Sequence, residues 1–460
     1  MRWLISLLLL GLLGLVQAIS SSGSRLLVVL EESEKPSFSQ FWTDLEGRGY
    51  DLAFESPKSE KIALFTHGEL AYDHLLLTPP KTKGFGPSLT PKIILDFVNA
   101  GGNVVLALSA SSSTPSAITS LLLELDIHTA PDRNSVVVDH FNYDATSASD
   151  NHDVLLVSRP NALRPDVKNF FGGSGVLALP HTVGQTLGNT SPLLAPILTA
   201  PETAYTYNPK EDAESGEDLF ATGKQLSLVS AMQARNSARF TVLGSFEMLQ
   251  DRWFDASVKG PAGNRIKTVN REFAQQLTGW TFKETGVLKV GSINHYLTSD
   301  AVQNTSAVDL LNPDIYRIKN DVTFEISLSE YSHTHWVPFT VPSDDDLQLE
   351  FTMLSPFHRL PLHPISQTAN STLYSTSFTL PDQHGIFTFR VNYKRPFLSN
   401  VDEKRTVTVR HYAHNEWPRS WKISGGWVWI AGLWSVIGGF IAFVGLWLYC
   451  ESPKREGEKK

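Results

Sequence analysis

The chain has 460 residues, 42% of them hydrophobic and 19% charged, a globular composition that excludes a largely disordered protein. A formal net charge of −8, with no basic run interleaved with aromatics, argues against nucleic acid as a partner. The single cysteine, Cys450, excludes a disulfide framework, so the fold must be held by core burial and contacts between domains.

Met1 and Arg2 open on a positive charge, and Trp3 to Val16 is apolar apart from Ser6, Gly11 and Gly14. Small residues come next at Val16-Gln17-Ala18, the pattern of a signal peptide over 1–18 cut after Ala18, the alternative being an uncleaved signal anchor. Cleavage would place the bulk of the chain, from residue 19 on, in the lumen of the secretory pathway.

From Arg25 short apolar runs alternate with helical stretches. Leu26–Leu30 is predicted as a strand, Ser37–Arg48 as a helix closed by Gly49, and Tyr50–Phe54 and Tyr72–Leu77 as further strands. Thr90–Ala100 is a helix, with Pro91 suited to its first turn and Gly101-Gly102 to its end. Asn103–Leu108 is a strand and Ser116–Leu125 a helix; Val154–Val157 and Thr241–Leu243 are later strands of the same body. Such alternation predicts βαβ units, a parallel sheet and an α/β domain over 19–270. Glu211–Asp218 is an acidic loop within it.

After the Ala274–Trp280 helix the period changes to two. Val322, Phe324, Ile326 and Leu328 alternate with polar residues, as do Leu347, Leu349, Phe351 and Met353, then Phe387, Phe389, Val391 and Tyr393, then Val407 and Val409. One face in a core and one in water predicts an antiparallel β-sandwich over 285–415, for which an immunoglobulin-like topology is expected. Pro381-Asp382-Gln383-His384-Gly385 is a turn feeding a strand from Ile386.

Ile423 to Cys450 carries no Asp, Glu, Lys or Arg, long enough to cross a hydrocarbon core with some tilt. Trp427, Trp429, Trp447 and Tyr449 stand near its ends, where amphipathic rings favour the interface. The tail 451–460, with Lys454, Arg455, Lys459 and Lys460, suits the cytosol, although Arg419 and Lys422 flank the other end. The expectation is a single-pass type I membrane protein. Ala431, Ser435 and Gly439, extended by Gly438 and Ala442, make a small-residue surface on which a second helix can pack closely; the alternative is a plain anchor. Cys450 is a palmitoylation candidate or an ordinary boundary residue. Asn189, Asn304 and Asn370 head N-x-S/T acceptors for N-glycosylation.

No nucleophile elbow, phosphate-binding loop or H-E-x-x-H occurs. Gly84-Phe85-Gly86 lacks a third glycine and is a turn. Without a cysteine before the span, amidotransferase-type thiolate chemistry is excluded. Asp344-Asp345-Asp346 has a D-x-D spacing that can hold a hard cation, but its setting is that of a solvated hairpin turn. His333 and His335 lack a third ligand nearby and are expected as exposed loop histidines. Asp139, His140 and Asp144 form the densest polar cluster of the α/β domain; with no neighbouring nucleophile, a structural or interface role is favoured over acid–base work. No catalytic, cofactor-binding or metal residue is assigned, and no cofactor is expected.

Several stretches resemble one family along the whole chain: Gly68–Leu75, Phe97–Val104, Val138–Asp144, Gln233–Arg239, Trp280–Leu288, Trp336–Phe339 and Leu347–Phe351. The chain resembles the oligosaccharyltransferase beta subunit, the WBP-type or 48-kDa-type subunit of the endoplasmic reticulum complex. The resemblance implies a non-catalytic structural subunit of the enzyme that moves a preassembled glycan from dolichol diphosphate to Asn of N-x-S/T sequons. It also implies a flavodoxin- or glutamine-amidotransferase-like α/β domain without an active site. The implied partners are a catalytic oligosaccharyltransferase subunit, a ribophorin II/Swp-type subunit and a small defender-against-death-type subunit. Where some members carry a dilysine signal this chain has Gly457 and Glu458, so retention would rest on assembly. The competing readings are a glycan-binding cargo receptor of the early secretory pathway and an enzyme working through Asp139-His140.

Overall fold

The structure is a computed structural model that describes residues 19–81, 84–132, 134–188, 191–209, 219–260, 263–299, 311–417 and 426–451. The expected signal peptide, the sequons at Asn189 and Asn304, the acidic loop and the tail beyond Glu451 lie outside the described residues.

The first body is built on a nine-stranded sheet. Its order runs Asp51–Glu55, Arg25–Val29, His74–Leu77, Asn103–Ala107, Arg239–Leu243, Ser227–Gln233, Gln185–Leu187, Ile127–Thr129, with Leu194–Thr199 also paired to Ser227–Gln233. Alternate residues of the central strands feed two different cores. Leu26, Val28, Leu76 and Val105 pack with Phe41, Trp42, Phe273 and Trp280 of helices Ser39–Gly47 and Asn270–Thr281. Leu27, Val29, Leu75 and Val104 pack on the other side with Ile94, Phe97, Ile118 and Leu122 of helices Pro91–Asn99 and Ser116–Glu124. A strand covered on both faces needs an unbroken apolar run, which is why Leu26 to Leu30 shows no alternation.

The helix Pro91–Asn99 begins as its sequence predicts: the Thr90 hydroxyl accepts from the Ile93 amide at 3.3 Å, with Pro91 next. At its end Gly101 has a φ of +103°, and a Cβ on Gly102 would lie 2.2 Å from the Phe97 ring. Both glycines are therefore required, one by conformation and one by space.

One expectation needs correction. The sheet is parallel only across its first five strands; Ser227–Gln233, Gln185–Leu187, Ile127–Thr129 and Leu194–Thr199 join antiparallel. Val154–Ser158 is a strand of the same body, with Leu155 and Val157 in its core, paired with Val176–Pro180 beside the nine-stranded sheet. An apolar run predicts a buried strand, not its neighbour.

The second body has two five-stranded sheets. One runs Thr285–Leu297, Asp321–Ser332, Thr372–Thr379, His363–Gln367, with His335–Pro338 added to Asp321–Ser332. The other runs Ile315–Arg317, Val401–Arg410, Gly385–Tyr393, Gln348–Met353, Ser355–Pro361. The apolar members of the period-two stretches make its core, with Phe351 stacked on Phe387 at 4.6 Å between centroids and tilted against Phe389 at 4.9 Å. Pairing is antiparallel except that Ile315–Arg317 lies parallel to Val401–Arg410. Ser355–Pro361 and His363–Gln367 are strands that the sequence pattern does not predict, because Pro356, Pro361 and Pro364 interrupt it; both are edge strands, where a missing N–H costs least.

Beyond these, Gly426–Tyr449 is a helix of 24 residues, long and apolar enough to cross a membrane.

Candidate functional site

The densest buried chemistry lies where the two bodies meet. The Arg239 side chain is fully buried, and its guanidinium donates to the carbonyls of Trp280, Thr285 (2.7 Å) and Gly286 (2.7 Å). Its hydrogen bonds all go to carbonyls rather than to a carboxylate, and desolvation pushes its pKa down to about 9. Trp280 donates from its indole N–H to the Phe397 carbonyl at 2.8 Å, and Phe171, Trp280 and Phe397 meet edge to face with centroids 5.1–5.9 Å apart. Gly286 has a φ of +69°, and a Cβ there would lie 2.6 Å from the Phe397 carbonyl oxygen. The loop after Tyr393 is thus tied to the end of the helix Asn270–Thr281.

The hairpin Gln233–Arg239 completes the joint. Gln233 Nε2 donates to the Leu398 carbonyl at 2.6 Å, and the Asn400 amide donates to Ser237 Oγ at 3.0 Å. Asn236 Nδ2 donates at 2.9 Å to the carbonyls of both Val98 and Asn99, satisfying the end of that helix. Beside them Glu284, 1% exposed, takes Arg48 Nη1 at 2.8 Å and the Tyr50 hydroxyl at 2.7 Å. Burial alone would raise its carboxyl, but His333, Arg48 and Tyr50 together hold it below the usual value.

A second polar knot lies under the start of the sheet. His74 is fully buried; Asn103 Nδ2 lies 3.3 Å from its Nδ1, and the Gly23 carbonyl 3.1 Å from its Nε2. Asn103 Oδ1 accepts from the Arg239 amide, which fixes the amide's orientation and makes Nδ1 the acceptor. The ring is therefore neutral with its proton on Nε2, and burial holds its pKa down to about 4.

A cleft of about 760 Å³ opens over the joint, between Leu193, Arg235 and Trp280 on one side and Arg395, Phe397 and Asp402 on the other. Its lining is mixed, with Lys394 and Asp402 paired at 3.4 Å beside the apolar Leu193, Trp280 and Phe397.

The sequence-predicted candidates do not assemble into one site. Asp139 is buried and its carboxylate is used up by the Phe141 and Asn142 amides and by Thr203 Oγ1 at 2.7 Å. Asp144 accepts from the Ser147 and Lys259 amides and from Ser147 Oγ. His140 contacts His152 and lies 2.8 Å from the Tyr205 hydroxyl, turned away from both acids. Asp139 and Asp144 build loops, and neither is placed to move a proton.

Asp345 corrects the expectation of a solvated turn. Its side chain is 4% exposed and takes a bidentate contact from Arg395, so only Asp344 and Asp346 face water. His335 stands in the strand His335–Pro338 rather than a loop, and His333 lies 3.7 Å from Glu284. Among the described residues no three His, Cys, Asp or Glu converge as a metal site. Asn370 is exposed in the turn between His363–Gln367 and Thr372–Thr379. In the apolar helix Ala431, Ser435, Gly438, Gly439 and Ala442 are exposed and pack on no other element among the described residues, and Ser435 Oγ donates to the Gly432 carbonyl at 2.8 Å.

Sequence reasoning does not single out the joint, although its residues lie in two stretches that carry the family resemblance, Gln233–Arg239 and Trp280–Leu288. A cluster of Gln, Asn and Arg between two apolar strands is the signal that points to it.

The fold and its polar clusters define a class: a mixed α/β body and a two-sheet β body fused through a buried joint, with, among the described residues, one helix fit to cross a membrane, and with Asp139, Asp144, Glu284 and Asp345 bonded to internal partners. The chain belongs to the OST48 family: the family model described as OST48, N-terminal domain, matches residues 17–284, and the OST48 middle domain matches 300–451. It is 33% identical over 422 residues to the dolichyl-diphosphooligosaccharide–protein glycosyltransferase 48 kDa subunit of Arabidopsis thaliana, covering 90% of this chain and 91% of the relative. The Schizosaccharomyces pombe subunit wbp1 of the same glycosyltransferase is 34% identical over 383 residues, covering 83% and 82%. The Caenorhabditis elegans 48 kDa subunit is 33% identical over 424 residues, covering 91% and 89%. A ThuA-like protein from Parabacteroides merdae aligns with 56% of the chain and 89% of its own at 14% identity and a TM-score of 0.27, too slight a likeness to argue from.

Proposed function

We propose that this chain is a non-catalytic structural subunit of the dolichyl-diphosphooligosaccharide–protein glycosyltransferase of the endoplasmic reticulum. The observation that carries this is the likeness over nine-tenths of both chains to a relative named as that subunit. The commitment of Asp139, Asp144, Glu284 and Asp345 to internal partners supports the absence of its own chemistry. The chain spans once as a type I protein, with a lumenal α/β domain over 19–270, a lumenal β-sandwich over 285–415 and a cytosolic tail. The parallel order in which the second strand flanks the first, followed by the third and fourth, supports a flavodoxin-like α/β core. The two facing sheets support the sandwich, and an immunoglobulin-like topology is part of the same reading.

Its partners are the catalytic subunit, a ribophorin II/Swp-type subunit and a small defender-against-death-type subunit, and Ala431, Ser435, Gly438, Gly439 and Ala442 are the face on which a partner helix packs. Asn189, Asn304 and Asn370 are glycan acceptors. Affinity purification in mild detergent is the test. A many-span catalytic subunit should co-purify in stable ratio, and the purified chain alone should transfer no glycan. Transfer by the chain alone, or its recovery with no such subunit, overturns the reading.

A further inference from the structure

The outer face of the sheet that ends on Val401–Arg410 changes character along its strands. The register places Lys404 beside Arg390, Arg390 beside Glu350 and Glu350 beside Arg359, a charged row. The next row is Thr406, Thr388, Thr352 and Pro356, uncharged. The row after that is Ile315, Thr408 and Ile386, and Leu354 is the turn between Met353 and Ser355 at the same end of the sheet. Ile315 is 60% exposed, Ile386 66%, and Leu354 fully. Leu354 also has a φ of +64°, where Asn or Gly would cost less and suit water better. Three large apolar side chains thus stand exposed at one end of an otherwise polar face.

That end is the one from which the chain leaves for the apolar helix. Beyond Arg410 the segment is pinned back on the sheet. Arg410 grips Glu416 at 2.6 and 2.8 Å, the Ala413 amide donates to Glu416 at 2.7 Å, and Arg317 lies 4.9 Å over the Tyr412 ring. Tyr412 in turn meets Trp417 at 5.2 Å, and Trp417 is 59% exposed. From Trp417 to Gly426 a fully extended chain reaches no more than about 30 Å. The apolar end of the sheet is therefore tethered close to wherever the helix enters the bilayer.

We propose that this rim, Ile315, Leu354 and Ile386 with Trp417 beside them, rests on the membrane at the boundary of headgroups and acyl chains. Its occupant is lipid: a set of aliphatic side chains with an adjoining tryptophan is the composition that boundary favours, and the tether is too short to hold it far away. The charged row then faces away from the bilayer. The contact fixes the tilt of both bodies over the membrane, which a single helix on a linker does not. The inference rests on reading Gly426–Tyr449 as a span and not on the identity of any partner.

The test uses the full-length chain with whatever it purifies with, in phosphatidylcholine nanodiscs carrying spin-labelled acyl chains. Single cysteines replace Leu354, Ile386 or Lys404 in a Cys450→Ser background, each bearing a fluorophore; the unsubstituted chain labelled at Cys450 reports the span. Quenching should be severalfold stronger in the Leu354→Cys and Ile386→Cys chains than in Lys404→Cys. Equal, weak quenching at all three sites with Cys450 quenched overturns the proposal and leaves the span intact. Weak quenching at Leu354→Cys and Ile386→Cys together with shielding from aqueous iodide also overturns it, assigning the rim to a protein neighbour. An unquenched Cys450 label removes the span and the proposal with it.

Discussion

At the scale of single residues, the buried polar groups set how the protein responds to pH and to substitution. His74 has a folded pKa of about 4 against about 6.5 for a free imidazole, so the unfolded chain binds its proton first. Its contribution is present above pH 6.5 and is lost as pH falls towards 4, up to about 3 kcal/mol. The melting temperature should fall across that window, and His74→Gln should flatten the slope there. Glu284 has the carboxylate sign, with stability lost as pH falls through its lowered pKa, so the two acid effects succeed one another. Arg239→Met should cost about 3 kcal/mol or more, because three carbonyls of the joint lose a charged donor with no water to replace it. Denaturant titration of the purified chain measures this directly.

At the scale of elements, legibility in the sequence tracks the strength of periodicity. The strand Asp321–Ser332 and the helix Pro91–Asn99 are legible because burial alternates in one and cap, proline and glycine bracket the other. Gly102→Val tests the second of these. Its side chain would meet the Phe97 ring, and overpacking of that kind costs about 1–3 kcal/mol, measurable by chemical denaturation. Strand partners are not legible: Val154–Ser158 pairs outside the main sheet, and the proline-broken edge strands give no pattern at all. The candidate acids are legible as polar clusters but not as structural groups, since only coordinates show Asp139 surrounded by donors and Asp345 gripped by Arg395 from 50 residues on. The apolar helix poses a converse case, a pattern with no packing partner among the described residues. If a partner helix packs on this face, Gly439→Leu should leave the melting of the other two bodies unchanged while reducing the amount of membrane-spanning partner recovered in mild detergent. Equal recovery would return the helix to the role of plain anchor.

At the scale of the whole molecule, the two bodies are joined by packing and hydrogen bonds rather than by a linker. Phe397 lies in the core of the first body although its neighbouring strands belong to the second, and Phe170 packs against both cores. Independent domains with a small polar interface move relative to each other by default, whereas a shared apolar core removes that freedom. The structural role proposed for this chain needs this property, since a subunit of that kind serves an assembly by holding distances. The family stretches Gln233–Arg239 and Trp280–Leu288 are spent on it, which explains why they resemble no catalytic motif. Trp280→Ala separates joint from fold: it empties the ring cluster of Phe171 and Phe397 and deletes the hydrogen bond to the Phe397 carbonyl. The loss should be about 3–5 kcal/mol, concentrated between the bodies. In calorimetry the native chain should unfold in one transition and the variant in two, the second body melting apart from the first. A single transition merely shifted to lower temperature would mean that Trp280 serves the first core alone, and that the bodies are held together chiefly by Arg239 and Gln233.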